Sequence, residues 1–263
     1  MIRDTRRTPN AAAGSVALRR AFHCAAVRRR DLTDRGAIFG APWHNRSAMS
    51  QLLHPFEAWH HTSCAADSTV VVPDGCRDLI LHALPHQPST WFVTDLADST
   101  YTVPGTVGEC YWGFRMQPGT QVDAERLLAL LQSQTMNEPH DALPLLHDCM
   151  ALDTRVADAL QSLARHSQVA QAARQLGVSE RTLQRLVQAA TGRAPAYWKC
   201  LARVRRAAQA LPRAPSLAEC AADHGYTDQA HMTREFGRWL GRTPAAVVAS
   251  PQWLAAIGAS GYC

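Results

Sequence analysis

Several features are missing from this 263-residue chain, and each absence removes a class of function. No apolar run approaches the ~18–20 residues that a membrane-spanning helix needs, so no membrane partner is expected. The N-terminus carries Arg residues but no clean apolar stretch followed by a small-residue cleavage site, which points to a cytoplasmic protein. The eight Cys include no C-x-x-C pair and no compact cluster, so reduced, mostly buried thiols are the plain reading, ahead of disulfides or zinc. A Gly-rich phosphate loop, a G-x-S-x-G elbow and an H-E-x-x-H helix are all absent. The chain is accordingly read as no enzyme, with no catalytic residue, no cofactor and no metal ligand nominated.

The net charge of +5 hides an uneven distribution. Residues 1–48 hold ten Arg against three Asp, residues 49–166 hold five basic against fourteen acidic side chains, and residues 167–263 hold twelve basic against five acidic. An acidic middle beside a basic C-terminal segment suggests that the latter faces a polyanion, because neutralising phosphates releases their counterions.

That basic segment contains a doublet. AARQLGVSERTLQRLV from Ala172 and AADHGYTDQAHMTREF from Ala221 share a small residue, a Gly four positions later, a hydroxyl residue two after that, and then an apolar stripe at helical spacing. Ala173, Gly177, Ser179, Leu183 and Val187 answer to Ala221, Gly225, Thr227, Met232 and Phe236, and each copy closes on Gly-Arg-x-Pro. The pattern is that of a helix-turn-helix: Ala permits a close helix crossing, Gly takes the positive φ that ends the first helix, and the hydroxyl caps the second. Between the copies, Tyr197 to Leu211 reads as a strut-like helix stopped by Pro212 and Pro215.

Upstream the texture is different. Thr69–Val72, Asp78–His82, Trp91–Thr94 and Glu109–Arg115 are short runs rich in β-branched and aromatic residues, punctuated by Pro- and Gly-bearing turns, which predicts a small sandwich or barrel. Helices are predicted over Asp123–Gln132 and over a tract from Leu145 to Arg165. The expected class is α+β, an N-terminal β-rich sandwich or barrel-like domain followed by an all-α double helix-turn-helix domain. The expected divisions are 1–48, a disordered basic extension; 49–166, a β-rich sensor or dimerisation domain with C-terminal helices; 167–250, the DNA-binding domain; and 251–263, a tail. Residues 1–48 read either as an arm adding non-specific DNA affinity or as an upstream extension with Met49 as the true initiator.

The segment Val169–Val248 resembles the AraC/XylS family of transcription regulators, most specifically through Gly225-Tyr226-Thr227-Asp228-Gln229-Ala230-His231-Met232-Thr233-Arg234-Glu235-Phe236 and Gly241-Arg242-Thr243-Pro244. The resemblance implies two helix-turn-helix units joined by a long helix. Val187 stands where an aromatic is usual, and Cys220 where an aliphatic is common. A weaker resemblance, carried by Val72-Pro73-Asp74-Gly75-Cys76-Arg77-Asp78-Leu79-Ile80 and Phe114-Arg115-Met116-Gln117-Pro118-Gly119, is to a β-rich domain found ahead of such units in some bacterial regulators.

Candidate DNA-reading residues are Arg181, Thr182, Gln184, Arg185 and Gln188 in the first unit and Gln229, Ala230, Thr233 and Arg234 in the second, since Arg suits guanine O6 and N7 and Gln suits adenine N6 and N7. Any single Arg is as readily a phosphate clamp. Two unlike reading helices in one chain imply an asymmetric site entered at two successive major-groove segments ~10 bp apart. Trp59, Trp91, Tyr111 and Trp112 are candidates to line an apolar pocket, with Arg115 available for an anion; ordinary core packing is the competing account of each ring. His60, His61, Cys64, His82 and His86 suit zinc or copper by type, but adjacent His residues point oppositely on a strand. The expected partners are double-stranded DNA, RNA polymerase, a small-molecule effector and a second copy through the N-terminal domain. The alternatives are an architectural DNA binder without signal input and a metal- or thiol-responsive regulator.

Overall fold

The structure, a computed structural model, describes residues 56–66 and 68–263. The expectations for residues 1–48 lie outside these. Among the described residues, eight strands and ten α-helices follow one another as an N-terminal β-rich half and a C-terminal helical half.

The β-rich half is built on a four-stranded antiparallel sheet in the order β1-β6-β3-β4, from β1 (Phe56–Thr62), β3 (Asp78–Ala83), β4 (Thr90–Val93) and β6 (Cys110–Met116). A separate antiparallel pair joins β2 (Ser68–Val71) to β5 (Tyr101–Pro104), and a third small pair joins β7 (Gln121–Val122) to β8 (Met150–Ala151). Alternation along each strand gives the large sheet two different faces. Leu79, Phe114 and Met116 point to one side and pack on Leu127 and Leu131 of α1 (Ala124–Ser133) and on Leu146 and Cys149 of α2 (Leu143–Cys149). Trp59, Ile80, Phe92 and Tyr111 point to the other side, into a cavity of about 340 Å³ between this sheet and the β2-β5 pair. Gly113 sits opposite Trp59 in the β1-β6 register, and a Cβ there would overlap the indole, so only glycine lets that ring lie across the strand.

The tract expected as one helix from Leu145 to Arg165 is two. The chain leaves α2 at Met150, pairs with β7, and restarts as α3 (Thr154–Arg165), whose first turn is capped by Asp153. The expected division at residue 166 falls between α3 and α4 (Val169–Gln175), which share a core: Val156, Leu160 and Leu163 are buried with Ala172, Leu183, Trp198 and Leu201. The packing of α3 therefore belongs to the helical half.

That half continues as α5 (Glu180–Thr191), α6 (Pro195–Ala210), α7 (Leu217–Asp223), α8 (Gln229–Leu240), α9 (Pro244–Val248) and α10 (Pro251–Gly258). The 16-residue α6, about 24 Å long at 1.5 Å per residue, is nearly surrounded, with Trp198, Leu201, Ala202, Val204, Ala207 and Ala208 buried. Residues 251–263, read from the sequence as a tail, instead form α10 and a short return. Trp253 and Ile257 enter the core, and Tyr262 is buried with its hydroxyl donating to Leu160 O at 2.6 Å.

The two halves meet at the Pro73–Cys76 turn. Gly75 has φ +75°, and a Cβ there would stand 2.9 Å from Trp198 Cζ3 and from Tyr262 Cβ. Glycine is needed at this position for both backbone and space. We expect Gly75→Ala to lower unfolding stability by about 1–3 kcal/mol, through φ strain and overpacking together. Urea unfolding followed by tryptophan fluorescence would read this, and an unchanged midpoint would refute the tight junction.

Candidate nucleic-acid interface and the adjoining cavity

Each half of the doublet is a helix, a tight turn and a second helix held in place from below. In the first unit α4 ends at Gly177 (φ +67°), Val178 N donates back to Ala173 O at 3.0 Å, and Ser179 Oγ accepts Thr182 N at 3.1 Å to start α5. In the second, α7 ends at Gly225 (φ +70°), Tyr226 N donates to Ala221 O at 2.9 Å, and α8 starts on Asp228. The expected hydroxyl cap does not hold in the second unit. Asp228 Oδ1 accepts His231 N at 2.6 Å, while Thr227 Oγ1 lies 3.3 Å from His231 Nδ1. The two turns thus differ by one residue, and the extra one lies between the glycine and the cap. Both second helices stop at left-handed glycines, Gly192 and Gly241.

Leu183 and Val187 anchor α5 and Met232, Phe236, Trp239 and Leu240 anchor α8, which leaves the opposite faces to solvent. Arg181, Thr182, Gln184, Arg185 and Gln188 are exposed on α5; Gln229, Ala230 and Arg234 are exposed on α8, with Thr233 half-buried beside them. Three of these have intramolecular engagements. Thr182 Oγ1 lies 2.9 Å from Ser179 Oγ in the cap, Gln188 Nε2 donates to Gly192 O at 3.0 Å, and Thr233 Oγ1 donates to Gln229 O at 2.9 Å. Gln188 is therefore turned to its own helix end, whereas no bond to Arg181, Gln184, Arg185 or Arg234 side chains is found among those described.

The strut α6 is fastened to both units. Trp198 Nε1 donates to Thr191 Oγ1, which itself bonds Val187 O at 2.8 Å. On the other side Arg203 pairs with Glu235 of α8 at 2.6 Å, lies over the Tyr226 ring at 4.6 Å and donates to Gly225 O at 3.3 Å. Burial opposes the Arg203 charge, and the Glu235 carboxylate outweighs it and raises the guanidinium pKa.

The loop between β4 and β5 reaches both units as well. Arg193, just past α5, donates to Leu96 O at 3.1 Å and pairs with Asp98 at 2.8 Å, and Tyr197 at the start of α6 donates its hydroxyl to Ala97 O at 2.9 Å. Thr100 donates its N–H (2.9 Å) and its hydroxyl (3.1 Å) to Trp239 O near the end of α8. Asp95 and Ala97 of the same loop line the cavity.

Of the residues expected around a pocket, Trp59, Tyr111 and Arg115 line the cavity; Trp91 and Trp112 do not. Strand parity is the reason. Trp91 stacks on Phe114 at 6.4 Å on the helix-covered face, and Trp112 meets His60 at 4.7 Å there. Arg115 is already engaged: Nε donates to Asp78 at 3.2 Å, Nη2 pairs with Asp74 at 3.0 Å, and Nη1 donates to Ser260 O at 2.9 Å. Burial works against its charge, and the carboxylates of Asp78 and Asp74 overcome this and raise its pKa. Asp78 also accepts Trp59 Nε1 at 2.8 Å. At the other end Glu109 accepts Thr106 N (2.8 Å), Tyr111 OH (2.9 Å) and His82 Nε2 (2.5 Å). Burial and the Glu109 bond push the Tyr111 phenol up to about 12. His60 and His61 face opposite sides of β1, and among the described residues no group of three or more His, Cys, Asp or Glu is arranged to hold a metal.

Comparison with known proteins agrees with this geometry in the helical half. The protein family described as helix-turn-helix domain matches residues 172–250, the segment that holds both helix-turn-helix units. The C-terminal domain of AraT, a response regulator from Geobacillus stearothermophilus, is 24% identical over 37% of this chain and 85% of its own, with a TM-score of 0.34. ToxT from Vibrio cholerae O395 is 9% identical over 74% of this chain and 97% of its own, with a TM-score of 0.41. Comparison with curated protein sequences gives no match.

The Arg203–Glu235 pair sets an expectation. Glu235→Gln leaves a half-buried guanidinium against a neutral amide and is expected to cost about 1–3 kcal/mol. Differential scanning calorimetry measures the loss, and wild-type stability in this variant would show the pair to be incidental.

Proposed function

We propose that this chain is an AraC-type DNA-binding transcription regulator that reads an asymmetric DNA site with α5 and α8, and that the cavity in the β-rich half adjusts the reading through the Asp95–Thr100 loop. Arg181, Gln184 and Arg185 on α5 and Gln229, Ala230, Thr233 and Arg234 on α8 are the groove-facing set. Thr182 and Gln188, at the two ends of the α5 face, suit backbone contacts better than base reading, because their side chains are tied to the helix ends.

The observation that carries the regulatory part is the double attachment of one loop. A segment that lines the cavity bonds the region after α5 and the end of α8 at once, so a shift in it moves both reading helices relative to each other. A ligand alters DNA affinity only by its difference in affinity for the two arrangements. The same reading takes RNA polymerase as a contact at the promoter and a second copy, joined through the β-rich half, as the route to paired sites.

Two measurements test this. With a site selected by the full chain from a random duplex pool, Arg185→Ala and Arg234→Ala are each expected to weaken specific binding by about 10- to 100-fold, the worth of one good base contact. Thermal midpoints should stay unchanged, and footprints identical to the parent's would remove these helices from the interface. Second, the double variant Arg193→Ala, Tyr197→Phe, which frees the loop from the first unit, is expected to tolerate one inserted base pair between the half-sites better than the parent. Equal discrimination by the two proteins would mean that the loop does not hold the spacing.

A further inference from the structure

We infer that the cavity takes a compact uncharged molecule, an aromatic or alicyclic body bearing an alcohol, phenol or carbonyl group, and excludes carboxylates and amines of the same size. The inference rests on the proposal that this cavity is the effector site, and it follows from how the charges around it are spent.

At about 340 Å³ the space lies at the small end of the ~300–1,000 Å³ typical of ligand sites, so the guest is small. Its walls are mainly apolar, with Val70, Val72, Val103, Ile80, Phe92 and Trp59 prominent. Among the described lining residues Arg115 is the one Arg or Lys, and its three nitrogens are committed to Asp78, Asp74 and Ser260 O. Of the two lining imidazoles, His82 Nε2 is bonded to Glu109 and His61 Nε2 lies 3.5 Å from Ser63 Oγ. A guest carboxylate seeking the guanidinium would therefore have to displace one of its carboxylates into an apolar enclosure, where an unpaired charge is costly.

An ammonium fares no better. Asp78 already receives Trp59 and Arg115, and Asp74 receives Arg115 and Cys76 N at 2.9 Å. Glu109, behind the lining residues His82 and Tyr111, is buried and already accepts from three donors. Asp95 is turned to solvent, its side chain 97% exposed. A cation would therefore lose its water without gaining a free counter-ion.

Uncharged handles remain. Thr94 Oγ1 accepts Asp78 N at 2.7 Å and keeps its own O–H to donate, and Tyr111 OH donates to Glu109 while its oxygen can still accept. These suit one carbonyl and one hydroxyl on an otherwise apolar guest.

The experiment uses three probes of matched size on the full chain: 2-phenylethanol, phenylacetate and 2-phenylethylamine at neutral pH. Isothermal calorimetry and thermal shift are expected to show the alcohol binding at least about ten-fold tighter than either ion, given the cost of an unpaired buried charge. Val103→Trp, which fills the cavity from an edge strand, should abolish that binding while keeping the parent's unfolding midpoint without probe. Binding of phenylacetate or the amine as tight as the alcohol overturns the inference, as does no binding by the alcohol, or alcohol binding that survives the Trp substitution. Binding of the alcohol with no change in DNA affinity supports the ligand class and overturns only the coupling on which the proposed function depends.

Discussion

A guanidinium almost wholly withdrawn from water organises this molecule. Arg205, in the middle of α6, is 2% exposed, and burial pulls its pKa below the usual arginine range. A charge so placed is costly unless most of its donors are occupied. Nη1 donates to Pro73 O (3.3 Å) in the β-rich half, and Nη2 donates to Ile257 O (3.4 Å) and Ala259 O (2.9 Å) at the end of α10, while the buried Nε has no hydrogen-bond partner among the described residues. Two stretches far apart in sequence are thereby fixed to one side chain of α6. Tyr262 N then bonds Asp74 O at 2.7 Å, and Gly261 passes so close to Asp74 that a Cβ would stand 2.9 Å from its carbonyl oxygen.

From that point the contacts continue without a gap into the cavity wall. Asp74 pairs with Arg115, Arg115 with Asp78, and Asp78 with the Trp59 indole. In the other direction α6 carries Trp198 against the first helix-turn-helix and Arg203 against the second. The strut between the two helix-turn-helix units is thus also the floor on which the β-rich half stands. A connecting helix free in solvent would let the two helix-turn-helix units move as independent bodies; one whose residues bond both units and two loops of the β-rich half makes them parts of a single mechanical unit.

The helical half was the more legible part because its signals are local. Caps, left-handed glycines and apolar stripes repeat at fixed offsets, and the exposed faces of α5 and α8 follow once Leu183 and Val187, or Met232 and Phe236, are assigned inward. The cap of α8 was misplaced by one residue because Thr227 and Asp228 can both accept, and only the longer turn decides between them. In the β-rich half, β3 and β6 were visible as runs of β-branched and aromatic residues. β1, with Glu57, Ala58, His60 and His61, has no such composition, and β5 ends in a proline that reads as a turn while pairing with Ser68. Tyr111 and Trp112 were grouped as pocket residues although adjacent strand residues face opposite ways. Arg115 as an anion receptor failed for a different reason: its partners, Asp74 and Ser260, are 41 and 145 residues away, and nothing in a sequence shows that a charge is already spent.

The position of the segment after α10 also fixes an order of events during synthesis. Ala256 and Ala259 close one side of the cavity, and Ser260 completes the ligation of Arg115. These residues leave the ribosome well after every strand of the β-rich half. The sheets can pair early, but the enclosure and its charge balance come into being only when the chain has been made to about residue 262. Until then Arg115 and Arg205 are short of partners, and the nascent protein can have neither a finished pocket nor a seated strut.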